Sequence, residues 1–291
     1  MIPNYPEFIP LSLELKTEMH PRLALTPDGV SEYTFSNLYL FRQRYCYRVS
    51  KDDAGILIIS GQREGKRFFM TPCAAPGREV LEDLLKNHDY WKGISDSVLS
   101  PQRVRLEQYG ITVVEDRDNF DYLYLRTDLA ILSGKKYHKK RNLVNTFINS
   151  YHYEQQLLTA DLIPQAVEVL ERWRQDKNEE ADYAAAREAL DRFAELNMKG
   201  ALYFVDGKPA GWCLGESLAK GRMFAIHFEK GIDEYKGIYQ FINQAFAATL
   251  PRFFIHINRE QDLGDAGMRQ AKMTYRPCGF VRKYLGRLGA P

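Results

Sequence analysis

Nowhere in the chain do about 18 apolar residues follow one another, as a helix crossing a bilayer requires. The opening MIPNYPEFIPLSLELKTEMH has no basic stretch leading into an apolar core, so no secretory signal is expected and a cytoplasmic location is. Cysteine is scarce and scattered. Cys46, Cys73, Cys213 and Cys278 show neither a CxxC pair nor Cys/His ligand spacing, which argues against a disulfide framework and a structural zinc site and fits a reducing compartment. No metal is implied. Charge of one sign is also missing: 40 Lys and Arg face 38 Asp and Glu, for a net +2. Any anionic partner must therefore be met by a local patch.

What is present suffices for two ordinary domains, with 291 residues of which 45% are hydrophobic. The first 26 residues read as a segment draped over the fold, and the aromatic series Phe35, Tyr39, Phe41, Tyr45, Tyr47 admits no single assignment. Apolar runs over 55–60 and 67–71 flank a glycine-containing loop, which predicts a hairpin. Val80, Leu81, Leu84 and Leu85 predict a helix over 77–88; Ser100, Pro101 and Gly110 bound another, and strands follow at 111–115 and 122–125. From Asp128 the pattern is helical, with Val144, Phe147, Ile148 and Tyr151 as its buried stripe. Lys135, Lys136, His138, Lys139, Lys140 and Arg141 crowd there without one carboxylate. Like charges on neighbouring turns repel, so the run is either a solvated face or the seat of an anionic partner.

The pattern restarts near Tyr151, dividing the chain into residues 1–150 and 151–291. Ile163, Val167 and Leu170 mark one amphipathic helix, and Ala186, Ala189, Leu190 and Phe193 the next. Asp206-Gly207-Lys208-Pro209 joins two strands as a hairpin, 222–229 is a further strand, and Ile238, Phe241, Ile242, Ala245 and Thr249 mark a helix. Both halves thus run hairpin, helices, strands, which suggests a structural duplication without sequence identity.

Chemistry concentrates in FFIHINREQDLGDAGMRQAKMTYR, residues 253–276. Alternation of Phe253, Ile255 and Ile257 with Phe254, His256 and Asn258 predicts a strand, after which Arg259, Glu260, Gln261 and Asp262 stand together where it gives way to a loop. Residues 265–276 read as a helix stopped by Pro277, with Arg269, Lys272 and Arg276 as a positive face. Strand 222–229, helix 236–249 and strand 253–258 form a right-handed parallel unit. Ligands of such sheets bind beyond the strands' carboxyl ends, so Glu229, Lys230, Asn258, Arg259 and Glu260 are expected to converge on one crevice beside Tyr235 and the helix N-terminus. Alternation pairs His227 with Glu229, and His256 with Asn258, on one face of each strand. A strand histidine also fits a hydrogen-bonded core position, and Glu260 and Asp262 also fit as caps of the following helix.

The segments SGKKYHKKRNLVNTF and NREQDLGDAGMRQAKMTY, in that order, resemble the uncharacterised family related to the C-terminal domain of bacterial phosphatidylglycerol lysyltransferases. The likeness extends over nearly the whole chain. It implies an α/β fold of two tandem GNAT-like acyltransferase domains, mixed sheets flanked by helices, with the crevice in the second. It further implies an aminoacyl-tRNA donor and an amine or hydroxyl acceptor. Relatives that make lysyl-lipid add a multi-pass membrane portion, so contact with anionic lipid is expected to be peripheral at most. In this reading Glu260 is the base and Asn258, or a backbone N–H beside it, holds the oxyanion, with His227 and Glu229 completing the catalytic set. Arg259, Asp262, Arg269, Lys272, Lys230, Tyr235, Lys135, Lys136, Lys139, Lys140 and Arg141 bind substrate. No cofactor is firmly implied. Acetyl-CoA is the alternative donor, but its phosphate loop needs Gln or Arg, then Gly, then Gly or Ala, where this chain has Glu234, Gly237 and Tyr239. The third reading is a non-catalytic protein that binds RNA or an anionic surface.

Overall fold

A computed structural model of the chain describes residues 1–177 and 182–289. Its first six strands are β1 (Ile9–Pro10), β2 (Arg48–Lys51), β3 (Leu57–Arg63), β4 (Lys66–Met70), β5 (Tyr90–Ser95) and β6 (Ile111–Glu115). There follow β7 (Asp121–Leu125), β8 (Tyr153–Leu157), β9 (Lys199–Val205), β10 (Lys208–Leu218), β11 (Met223–Gly231), β12 (His256–Asn258), β13 (Gly279–Val281) and β14 (Lys283–Leu288). They build two sheets, ordered β1-β2-β3-β4-β5-β14-β6 and β8-β9-β10-β11-β12-β7-β13.

The two orders correspond position by position. Each sheet has three antiparallel steps, one parallel pair, a strand donated by the other half of the chain, and an antiparallel edge strand. The parallel pairs are β4 with β5 and β11 with β12, crossed by helices Arg78–Asn87 and Ile238–Thr249. The suggested duplication is therefore present in the topology, with β7 and β14 exchanged. These strands open on Asp121 and Lys283, both fully buried, and Lys283 Nζ donates to Asp121 Oδ1 at 2.7 Å. Lys283 also reaches Glu32, while Asp121 accepts from Ser31 N at 2.8 Å and Asn258 Nδ2 at 3.0 Å. A polar cluster thus sits at the crossing of the two halves.

The exchange shifts the division expected at residue 150. The chain changes sheets between β6 and β7, and helix His138–Ser150 packs on helix Ile238–Thr249 of the second sheet. Periodicity locates strands but cannot say which sheet each joins.

One core lies between the sheets, where Met19, Phe35, Leu38 and the first sheet's Ile59 and Phe68 meet Leu170, Ala186, Trp212 and Phe228. The opening segment is thus more than a drape: β1 extends the first sheet, and Leu15, Met19 and Leu23 enter the shared core. The unassigned aromatic series begins with a fully buried helix, Phe35–Leu40, capped by Thr34. Each sheet's outer face has its own core. Two boundaries differ from expectation. Phe253 and Ile255 are exposed and only His256–Asn258 is strand, because the Phe254 amide donates back to Pro251 in a turn off the preceding helix. The helical region after Asp128 breaks at Leu132 and Gly134, both with positive φ, and Ile148 lies exposed outside the buried stripe of Val144 and Phe147. No helix among the described residues is long and apolar enough to cross a membrane.

Candidate active site

The strand-helix-strand unit forms as expected, but β12 ends level with Ala225 while β11 runs on to Gly231. Opposite β10 the register slips: Leu214 pairs with Phe228 and Gly215 with Ile226, leaving His227 as the extra residue of a bulge. A bulge resets alternation. His227 and Glu229, expected on one face, therefore face opposite ways. His227 turns inward with Phe228 toward the core between the sheets, whereas Glu229 points outward to Arg259.

On the inner side, His227 Nδ1 lies 2.7 Å from Glu260 Oε1 and Nε2 lies 3.1 Å from Glu216 Oε1. Asn37 Nδ2, from the first half, donates to the same Glu260 oxygen at 3.1 Å. Glu260 has φ of 55°, a left-handed conformation uncommon outside glycine. Its amide donates to Asn258 Oδ1 at 2.7 Å, and Asn258 Nδ2 donates to Gly29 O at 2.8 Å as well as to Asp121. Asn258 is fully buried with both side-chain atoms engaged, so it organises the loop and has no spare donor for an oxyanion. Lys272, expected on a positive face, instead folds under the same loop: its ammonium donates to the carbonyls of Arg259, Glu260 and Gln261. Burial lowers its pKa to about 8, against the opposing pull of Glu260.

Asp262 is equally committed. It accepts from Arg269 Nε and Nη2, each at 2.8 Å, from the Tyr122 hydroxyl at 2.5 Å and from the Gly264 amide at 2.9 Å. Burial pushes this carboxyl up, but the Arg269 and Tyr122 hydrogen bonds outweigh burial and hold it far below the usual range. The cap of helix Ala266–Met273 is Asp265, which accepts from Met268 N. Lys230 is buried, bonded to Asp182 at 2.7 Å and seated over Trp173, while Tyr235 packs edge-on against Tyr151. Neither lies on the groove described next.

On the outer side Arg259 Nη2 is 3.2 Å from both oxygens of Glu229, and Asn243 Oδ1, with its amide suitably turned, accepts from Arg259 Nη1 at 2.8 Å. Arg259 lies 5.2 Å from the Tyr275 ring, and Lys140 Nζ sits over that ring at 4.1 Å. Burial, then the Arg259 charge, lowers the Lys140 pKa. Beyond Lys140 a groove of about 1010 Å³ opens between the two basic segments, with Lys135, Lys139 and Leu143 on one wall and Met273, Thr274 and Arg276 on the other. Two segments remote in sequence thus share one surface. Lys136 is paired with Asp128 at 2.8 Å and Arg141 bonds the carbonyls of Leu132 and Gly134, whereas Lys135 and Lys139 have no carboxylate partner among the described residues.

The loop where a CoA pyrophosphate would be expected is occupied from within. A side chain at Gly237, φ 90°, would place its first carbon 2.2 Å from Leu143 O, and the Lys236 amide donates to the Tyr151 hydroxyl at 3.2 Å. Helix His138–Ser150 therefore lies against the helix N-terminus that Glu229 and Lys230 were expected to share.

A family model described as phosphatidylglycerol lysyltransferase, C-terminal, matches residues 23–287. The chain belongs to this family. A conserved protein of unknown function from Bacteroides thetaiotaomicron VPI-5482 is 30% identical, with a TM-score of 0.87 over 99% of this chain and 100% of that one. The C-terminal domain of a putative lysylphosphatidylglycerol synthetase from Agrobacterium fabrum shares the fold at 14% identity, with a TM-score of 0.65 over 94% of this chain and 92% of its own. An uncharacterised protein of Mycoplasmoides gallisepticum is 24% identical over 185 residues, 61% of this chain and 59% of that protein; the chain thus spans less than two thirds of this relative. This chain and the C-terminal domain of that synthetase thus share one fold over nearly their whole lengths.

Sequence reading overlooked Asn37, Glu216, Asn243 and Tyr275 as neighbours of the site. Glu216 carried a usable signal, a carboxylate inside the apolar strand GWCLGESL; Asn37 carried none.

Proposed function

We propose that the chain transfers an aminoacyl group from a charged tRNA to an amine or hydroxyl acceptor. The observation that supports it is the groove in which the 135–141 and 269–276 segments meet, leaving Lys135 and Lys139 available to phosphates. A CoA donor is less suited, because the Tyr151 hydroxyl already takes the Lys236 amide and the Leu143 carbonyl fills the close approach at Gly237 that a pyrophosphate needs. In this reading the donor lies in the groove and the acceptor meets Glu260 from the inner side of the 259–262 loop.

Glu260 takes the acceptor's proton as the acceptor nitrogen or oxygen bonds to the acyl carbon. The ester bond to the ribose oxygen then breaks, and the proton passes from Glu260 to that oxygen. With Oε1 saturated by His227 and Asn37, Oε2 is the atom that receives it. Radiolabelled aminoacyl-tRNAs offered with lipid, peptide and small-amine acceptors should give turnover. Glu260→Gln should lower kcat by about 100-fold or more with KM little changed. Neutralising Lys135 and Lys139 together should reduce the slope of log affinity against log salt by roughly 2. Turnover with acetyl-CoA and none with any charged tRNA would replace this reading, and salt-sensitive RNA binding without transfer would reduce the chain to a binding protein.

A further inference from the structure

We propose that the first half of the chain is part of the site, and that Asn37, His227 and Glu216 are positioning residues that orient the Glu260 carboxylate. The inference rests on the reading of Glu260 as the base and adds how its geometry is held. His227 stands between two carboxylates, each within hydrogen-bond distance of one ring nitrogen. Carboxylates only accept, so both nitrogens must donate and the ring is an imidazolium. Glu216, almost wholly buried on β10, anchors the far nitrogen and fixes the ring plane. The near nitrogen then presents its N–H to Glu260 Oε1.

Asn37 supplies the second donor to that oxygen from helix Phe35–Leu40, whose residues are all buried and whose start is set by the Thr34 cap. Two donors on one oxygen fix the carboxylate plane and direct Oε2 away from both. The backbone beneath is held as firmly, by Asn258 at the Glu260 amide and Lys272 at its carbonyl. Glu260 is thus clamped from both halves, although 18% of its side chain remains exposed.

The test uses the whole chain labelled with ¹⁵N in its imidazole rings. His227 should give the doubly protonated signature at pH 8, and Glu216→Gln or Glu260→Gln should convert it to a neutral ring. A neutral His227 in the wild type would overturn the proposal. In the transfer assay Asn37→Ala and Glu216→Gln should each lower kcat about 10- to 100-fold, with KM for the charged tRNA within about two-fold, at a temperature where each variant is still folded by its melting curve. Asn37→Gln, which can restore the donor, should recover part of the loss. If Glu260→Gln were inactive while Asn37→Ala and Glu216→Gln turned over normally, the base would stand and the positioning would fall. If Glu260→Gln turned over normally, the base and the clamp built on it would fall together. If the wild type transferred from no charged tRNA, the donor reading would fail separately and the imidazole spectra would decide the clamp.

Discussion

His227 shows how a single residue departs from its sequence pattern. Burial disfavours its charge, but the hydrogen bonds to Glu216 and Glu260 outweigh burial and its pKa is pushed up to about 10 from 6.5. A folded-state value above the unfolded one means a stabilising contribution fully present below pH 6.5 and lost as pH rises through about 10. The stability advantage of wild type over His227→Gln should therefore shrink across that window, by at most about 1.4 kcal/mol per pH unit. Denaturant titrations at several pH values measure it; an unchanging difference would mean that the ring is neutral. Strand, histidine and Glu260 were legible at this scale; Glu216 was overlooked, and the bulge that separates His227 from Glu229 was not legible. Its cause lies in the pairing with β10, a partner that β11's own periodicity does not report.

Among the elements, helix His138–Ser150 does two things at once. Its start and the loop before it form one wall of the groove, while its middle packs against the Gly237 turn. At φ 90° and 2.2 Å from Leu143 O, a first side-chain carbon at residue 237 is both strained and obstructed. Gly237→Ala should cost about 2 to 3 kcal/mol and displace the helix, weakening tRNA binding even though no cation is removed. Thermal unfolding with filter binding checks both effects; wild-type stability would show that the helix yields freely. The Ala266–Met273 helix teaches the converse. Its charges were legible, but Arg269 is bound to Asp262 and Asp118, and Lys272 to three loop carbonyls. The positive face that periodicity predicts is mostly internal scaffolding, and Arg276 beyond the helix is what reaches the groove.

Over the whole molecule, exchange of β7 and β14 makes the halves interdependent, and the Asp121–Lys283 pair lies where they cross. Removing one partner of a buried ion pair strands the other charge, at about 3 to 5 kcal/mol. Lys283→Met strands Asp121 and leaves Glu32 only Lys92, 3.9 Å away, so it should destabilise by about that much and lower the melting temperature of both sheets in one transition. Two separated transitions, one near the wild-type temperature, would show that the halves fold independently.

The sequence by itself determined most of the elements, the parallel strand-helix-strand unit, the cationic segments and the dense polar loop after Asn258, since these depend on local spacing and side-chain chemistry. Tertiary structure alone decided which sheet receives β7 and β14, which face carries His227, and which charges are free. Strand exchange, bulge register and ion pairing are set by partners as distant as Asp121 from Lys283 or Asn37 from Glu260. A long-range contact leaves no period in the local sequence, because its free energy comes from burial and pairing that exist only once the two halves have met.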